Sequence, residues 1–143
     1  MNRFQRLVEL RKIREEAAAM ALAEVLGRVQ KTQEELSGLD RETETEKRLA
    51  KENLASGCAI PPQFYENFFR GQTWRRVRLL ERRSKLQVEA EAARQVWYGT
   101  RTLVQQAEKM AQKDDQLKKA AERRKEMKEL DMMGILGVSQ LGP

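Results

Sequence analysis

An all-α fold, two long helices forming an antiparallel coiled-coil hairpin, is what this sequence predicts, and three observations carry it. The internal prolines are confined to Pro61 and Pro62, which separate two long proline-free arms. Proline removes a backbone donor and breaks a helix interior, so this layout reads as helix, turn, helix. Charged residues make up 35% of the chain and aromatics only 6%. At helical periodicity that composition points to long helices or coiled coils. Finally, apolar residues recur in sevens along both arms, the spacing of a narrow helix–helix seam.

Helix one is predicted over residues 4–54. Asn2 can cap it, with Gln5 three residues on to complete a capping box. A heptad frame places Leu22, Val29 and Leu36 at one seam position and Val25, Thr32 and Leu39 at the other. Upstream, Phe4, Val8 and Ala18 keep this frame while Leu7, Leu10 and Ile13 leave it; beyond Leu39 it turns polar through Thr43, Glu46, Ala50 and Asn53. The turn is residues 55–62, where Gly57 suits a helix C-terminus and the proline pair suits a helix start.

Helix two follows over residues 63–132, with Leu79, Leu86, Ala93, Thr100, Ala107 and Ala121 at one seam position. Val96, Leu103, Met110 and Leu117 are read at the other, with Arg82, Glu89 and Asp114 as interruptions. Gly134 and Gly137 are expected to end it. Each interior glycine costs a helix about 1 kcal/mol relative to alanine, which makes Gly27, Gly38, Gly71 and Gly99 candidate bends. Residues 1–132 then form one helical hairpin, and the uncharged residues 133–143 a flexible tail.

The arms are unequal. At about 1.5 Å per residue the first spans roughly 77 Å and the second roughly 105 Å. If they pair across the turn, partner numbers total about 117, and helix two overhangs the N-terminus from about Asp114 onward. Whether the pairing closes within one chain or between two is open at this level.

Function classes narrow next. The chain has no histidine, the commonest general base and metal ligand. It has no glycine-rich phosphate loop, and Cys58 is alone, which fits a cytosolic setting. A pair of helices offers no desolvated cleft to tune carboxylates. A non-enzymatic protein with no cofactor and no metal is therefore expected. No stretch approaches the roughly 20 apolar residues that span a bilayer. Low hydrophobicity with high charge also favours disorder, but the apolar spacing is too regular for it.

The charge is uneven. Residues 1–54 carry eleven basic and eleven acidic side chains; residues 70–101 carry nine basic and three acidic. Aromatics crowd the same region, with Phe64, Tyr65, Phe68, Phe69 and Trp74 within eleven residues, followed by Arg75, Arg76 and Arg78. One helix face cannot bury all these rings. Some are expected to plug the hairpin end on Leu49 and Leu54 and others to form a binding surface, since aromatics with arginine are what interfaces favour. The basic stripe also raises nucleic acid as a partner, but it lies on a helix that must pack and no nucleic-acid motif accompanies it, so none is expected.

Three segments carry a family resemblance. They are the opening Phe4-Gln-Arg-Leu-Val-Glu-Leu-Arg-Lys-Ile-Arg-Glu-Glu16, the break Ile60-Pro61 followed by Tyr65-Glu-Asn-Phe68, and the closing Arg123-Arg-Lys-Glu-Met-Lys-Glu-Leu-Asp131. Together they resemble the FliJ family, coiled-coil components of the flagellar type III export apparatus, with counterparts in virulence secretion. The resemblance implies a stalk similar to that of rotary ATPases. Its end bearing both termini would enter a hexameric export ATPase ring, through Phe4, Leu7, Leu10, Leu117, Lys118, Arg123, Arg124 and Leu130. Its aromatic region (Phe64, Tyr65, Phe68, Phe69, Trp74, Arg75, Arg76, Arg78) would meet the cytoplasmic domain of the export gate. Export chaperones would be further partners, and the location would be cytoplasmic, peripheral to the membrane-bound apparatus. Residues 134–143 depart from the family pattern. A generic coiled-coil scaffold or chaperone-like adaptor is the alternative.

Overall fold

A computed structural model of the chain describes residues 2–57 and 60–141. Cys58 and Ala59 of the expected turn, and Gly142 and Pro143 of the expected tail, lie outside the described residues. Two helices pack against each other: α1, Arg3–Ala55, and α2, Pro62–Leu141. The all-α hairpin class read from the sequence is the class observed, with the second helix the longer at 80 residues against 53.

Local chemistry explains the helix ends. Asn2 Oδ1 accepts the backbone N–H of Phe4 at 2.9 Å, and the Asn2 N–H donates to Gln5 Oε1 at 2.9 Å. This reciprocal pair satisfies donors that a helix start leaves orphaned. At the other end of α1 the Ser56 N–H reaches the Glu52 carbonyl at 3.0 Å, and Gly57 adopts φ 73°, a left-handed conformation that glycine enters without a Cβ penalty. Pro62 opens α2, where its missing N–H would have had no partner anyway.

Two expectations about α2 change. It does not stop near Met132 but continues through Gly134 and Gly137 to Leu141. Glycine taxes a helix without forbidding it, and no proline intervenes before Pro143. Nor do the interior glycines interrupt either helix: both run unbroken through Gly27, Gly38, Gly71 and Gly99. A Cβ added at Gly27 or Gly71 would meet no atom within 4 Å. Gly27→Ala with Gly71→Ala is therefore expected to stabilise the protein by about 1–2 kcal/mol in total, seen as a higher urea midpoint at unchanged slope.

The described residues fall into two compact units, each built from a stretch of α1 and a stretch of α2: Ala18–Trp97, and Met1–Ala17 with Tyr98–Pro143. In the unit Ala18–Trp97 the α1 seam follows the heptad frame closely. Leu22, Val25, Val29, Thr43, Glu46 and Asn53 are half-buried, and Thr32, Leu36, Leu39 and Ala50 are buried. The two helices run antiparallel: Gln33 meets Arg83 at 2.8 Å, Asp40 meets Arg76 at 3.0 Å, and Thr43 meets Gln72 at 3.3 Å. Of these contacts only Asp40–Arg76 is an ion pair, exposed and worth at most about 1 kcal/mol. The contacts mark the register more than they hold it.

Gln72 is, equally with Thr32, the most deeply buried polar side chain of this unit, 3% exposed. Its amide donates to Thr43 Oγ1, and its Oε1 accepts from Arg75 at 3.1 Å. The Thr43 hydroxyl in turn donates to the Leu39 carbonyl at 2.8 Å. A satisfied polar layer in an apolar seam penalises slipped pairings, which would leave Gln72 buried without partners.

In the other unit Phe4, Val8 and Arg11 of α1 face Val104, Ala107 and Ala111 of α2. The side-chain amide of Asn2 donates to the Ala111 carbonyl at 3.4 Å, and Arg11 Nη1 donates to the Leu103 carbonyl at 2.8 Å. Past Asp114 the helix loses its partner: residues 121–135 are exposed without exception. This is the overhang that the unequal arms imply.

The second seam position of α2 corrects the sequence frame. Val96, Leu103, Met110 and Leu117 are exposed; the seam uses Ala90, Trp97, Val104 and Ala111, one position later except that Leu117 has no counterpart. Both choices are apolar at each level (Val96 or Trp97, Leu103 or Val104, Met110 or Ala111), so α2 alone offers two apolar stripes. The stripe used carries the smaller side chain at two of these levels (Val104, Ala111) and the larger at the third (Trp97).

Candidate partner-binding surfaces

The aromatic cluster splits by helical position. Tyr65, Phe68 and Phe69 are half-buried, and the Tyr65 ring lies 6.5 Å from Phe69, roughly parallel to it. Phe69 is edge-on to Phe68 at 5.4 Å. The Tyr65 hydroxyl accepts the Asn53 side-chain amide at 2.9 Å. These rings close the seam near the turn. Leu49 and Leu54, expected beneath them, are instead exposed. Asn53, at the heptad position, takes that place because it lies on the α1 face that meets α2.

Phe64 and Trp74 are the outward members, 65% and 63% exposed. The Arg78 guanidinium lies 5.1 Å over the Trp74 ring. Thr73, Trp74, Val77, Arg78 and Glu81 line a shallow cavity of about 420 Å³ on the outer face of α2. Such a cation–π pair is worth about 0.5–1 kcal/mol at an exposed site. It also holds the indole in one orientation, which lowers the entropy lost when a partner covers it.

The arginines that follow differ in role. Arg76 pairs with Asp40 of α1 and braces the hairpin, Arg75 is tied to Gln72 within α2, and Arg78 faces outward with Trp74. Val77, exposed and lining the same cavity, is a residue that the sequence reading missed. Gln72 was missed as well. The signal was there, since it sits seven residues before Leu79 and so extends the same heptad position.

Of the residues assigned to the second surface, Phe4 and Leu7 are half-buried, with the Arg3 guanidinium 4.8 Å over the Phe4 ring. Leu10 is exposed. On the overhang Leu117, Arg123, Arg124 and Leu130 are exposed, and Lys118 pairs with Asp114 at 3.4 Å. Leu130 lines a shallow groove with Asp131, Gly134 and Ile135. Met127, Met132 and Met133 add further exposed apolar surface to this helix. Methionine adapts its shape readily and is over-used at docking surfaces.

Among the described residues Glu91 has its carboxyl held below the ordinary value, first by the Gln95 amide and then by Arg94. It is exposed, on a helix face with no cleft. No helix, searched over the described residues, is long and apolar enough to cross a membrane.

Fold and surfaces together define a class: an all-α helical hairpin of coiled-coil type, with exposed aromatic, aliphatic and arginine side chains on the outer faces of its helices. Within that class the chain belongs to the FliJ family, whose profile (flagellar FliJ protein) matches residues 1–137. It is thus a flagellar export protein, from a family of non-enzymatic export-apparatus components. No curated protein and no solved structure matches it.

Proposed function

We propose that this protein is a coupling component between the export ATPase and the export gate. The overhang of α2 and the paired helix end beside it enter a hexameric ATPase ring. The Trp74–Arg78 face meets the cytoplasmic domain of the gate, and export chaperones dock along the helices. The protein works in the cytoplasm, peripheral to the membrane-embedded apparatus.

The observation that carries this reading is the lone helix beyond Asp114, exposed on every side over residues 121–135. A single helix with its side chains is about 10–12 Å across and fits a narrow pore that a helix pair does not. Its large apolar side chains, among them Leu117, Met127, Leu130 and Ile135, have no partner of their own fold to cover them. Inside a ring of six subunits one asymmetric helix meets each subunit differently, which biases ring assembly and nucleotide state.

The cognate export ATPase, mixed with the full chain, should form rings at lower concentration and hydrolyse ATP at an altered rate. Size-exclusion chromatography and a phosphate-release assay measure the two. If neither changes, the coupling role is wrong.

A further inference from the structure

Pairing the helices relocates the charge of the chain. The unit Ala18–Trp97 holds fourteen basic and twelve acidic side chains, because the acidic stretch of α1 around Glu34–Glu46 lies in the same unit as the basic stretch of α2. The other unit holds fourteen basic and ten acidic. Its excess sits where the helices pair. Residues 1–14 and 101–113 together carry eight bases (Arg3, Arg6, Arg11, Lys12 and Arg14 with Arg101, Lys109 and Lys113) against two acids, Glu9 and Glu108. Acidic pairs, Glu15–Glu16 and Asp114–Asp115, close the stretch on both sides.

We propose that this basic helix end is a docking surface for a carboxylate-lined protein surface with aliphatic contact points. The inference rests on the reading that this end meets the export ATPase, and it names the chemistry which that partner presents here.

Three features support it. First, the fold does little to cancel the charge at Arg11 and Lys12. Lys12 reaches Glu108 only at 3.7 Å, and Arg11 spends a hydrogen bond on the Leu103 carbonyl, a neutral acceptor. Arg6, Arg14, Lys109 and Lys113 are exposed. Bases three or four residues apart on a helix, such as Arg3 with Arg6 and Arg11 with Arg14, lie about 5–6 Å apart, within the roughly 8 Å Debye length at physiological salt, so these neighbouring like charges repel. An acidic partner relieves that repulsion and is drawn in faster by it.

Second, the outer face of α1 alternates base and aliphatic. Residues seven apart share a face, which sets Arg3 in line with Leu10 and Arg6 in line with Ile13. Leu10 and Ile13 are both exposed. Third, this alternation selects among anionic partners. A bilayer wants an unbroken apolar stripe flanked by bases, whereas here the bases interrupt the stripe. A nucleic acid would leave Leu10 and Ile13 unused, and the ring in the α1 part of this stretch, Phe4, is half-buried. A protein surface of carboxylates and small apolar hollows uses both kinds of side chain.

The test is binding of the full chain to the cognate export ATPase between about 0.05 and 0.5 M salt, with Arg6→Glu/Arg14→Glu and Leu10→Ala/Ile13→Ala as variants. All four positions are exposed, and the replacements are tolerated in helices; an unchanged circular dichroism spectrum checks this. Wild-type affinity should fall about tenfold or more over that salt range. The charge reversal should weaken binding at least about tenfold at low salt, with the difference shrinking as salt screens it. The alanine pair should weaken binding about equally at all salts. Binding that ignores both salt and the charge reversal overturns the inference and leaves the coupling reading standing. No binding of the wild type under any condition overturns the coupling reading itself. A duplex DNA fragment, or vesicles rich in phosphatidylglycerol, bound as tightly as the ATPase and lost with the same charge reversal, would reassign the surface to phosphates and overturn the proposal.

Discussion

Leu36→Ala with Leu39→Ala is expected to remove a large share of the stability of the unit Ala18–Trp97. These are the two large aliphatic side chains among its buried residues; the other buried apolar side chains are Ala18, Ala50 and Ala90. Truncating a buried leucine costs about 2–5 kcal/mol from lost transfer energy and the cavity left behind. The two lie three residues apart on one seam, so their losses couple and need not add. A combined loss of about 5 kcal/mol is a large share of the roughly 5–15 kcal/mol that holds an ordinary domain. Urea titration followed by circular dichroism at 222 nm measures it. Val88→Ala, on the outer face of α2, is the control and should stay within about 0.5 kcal/mol. A double variant within 1 kcal/mol of wild type would mean that the seam does not run through these residues.

The second expected result separates stability from binding in the aromatic cluster. Trp74→Ala should weaken binding to the cytoplasmic domain of the export gate by about 2 kcal/mol, roughly thirtyfold, with little change in urea midpoint. The ring is 63% exposed and covers little of its own fold. Phe68→Ala should do the reverse. That ring is half-buried and edge-on to Phe69, and its loss should destabilise the turn end of the hairpin by about 1–3 kcal/mol. Any effect on gate binding would follow from the looser hairpin. Calorimetric titration of the gate domain, beside urea melts of both variants, gives the two quantities for each ring. Equal losses of binding with no loss of stability for Phe68→Ala would place that ring on the surface after all.

Both results depend on which side of a helix a residue occupies, and this is where reading the sequence had uneven success. On α1 the heptad frame was legible from Leu22 to Leu39, where Leu22, Val25, Val29, Leu36 and Leu39 recur at the seam; upstream Leu7, Leu10 and Ile13 are rival apolar positions, and beyond Leu39 the frame turns polar. On α2 it was half legible. Leu79, Leu86, Ala93, Thr100 and Ala107 stood out, whereas Ala121, read at the same position, is exposed because α1 does not reach it; two apolar stripes flank them, and nothing within α2 distinguishes Val104 from Leu103. The same ambiguity left the aromatic cluster undivided, since Phe68 and Phe69 are adjacent and both fit near a seam.

The helical class, the turn at Pro61–Pro62 and the unequal arms were determined by the sequence alone. They follow from local causes: proline's missing donor, the cap at Asn2, and periodicity along a single chain. The tertiary structure alone decided the second seam of α2, the burial of Gln72 against Thr43, and the outward turn of Trp74 over Arg78's guanidinium. It also decided where the charge remains. Along the chain the basic excess lies at residues 70–101, but pairing brings the acidic stretch of α1 alongside it and leaves the stronger excess on the helix end around Arg6 and Arg14. Charge and burial belong to pairs of helices, and one helix read by itself cannot reveal what its partner cancels or covers.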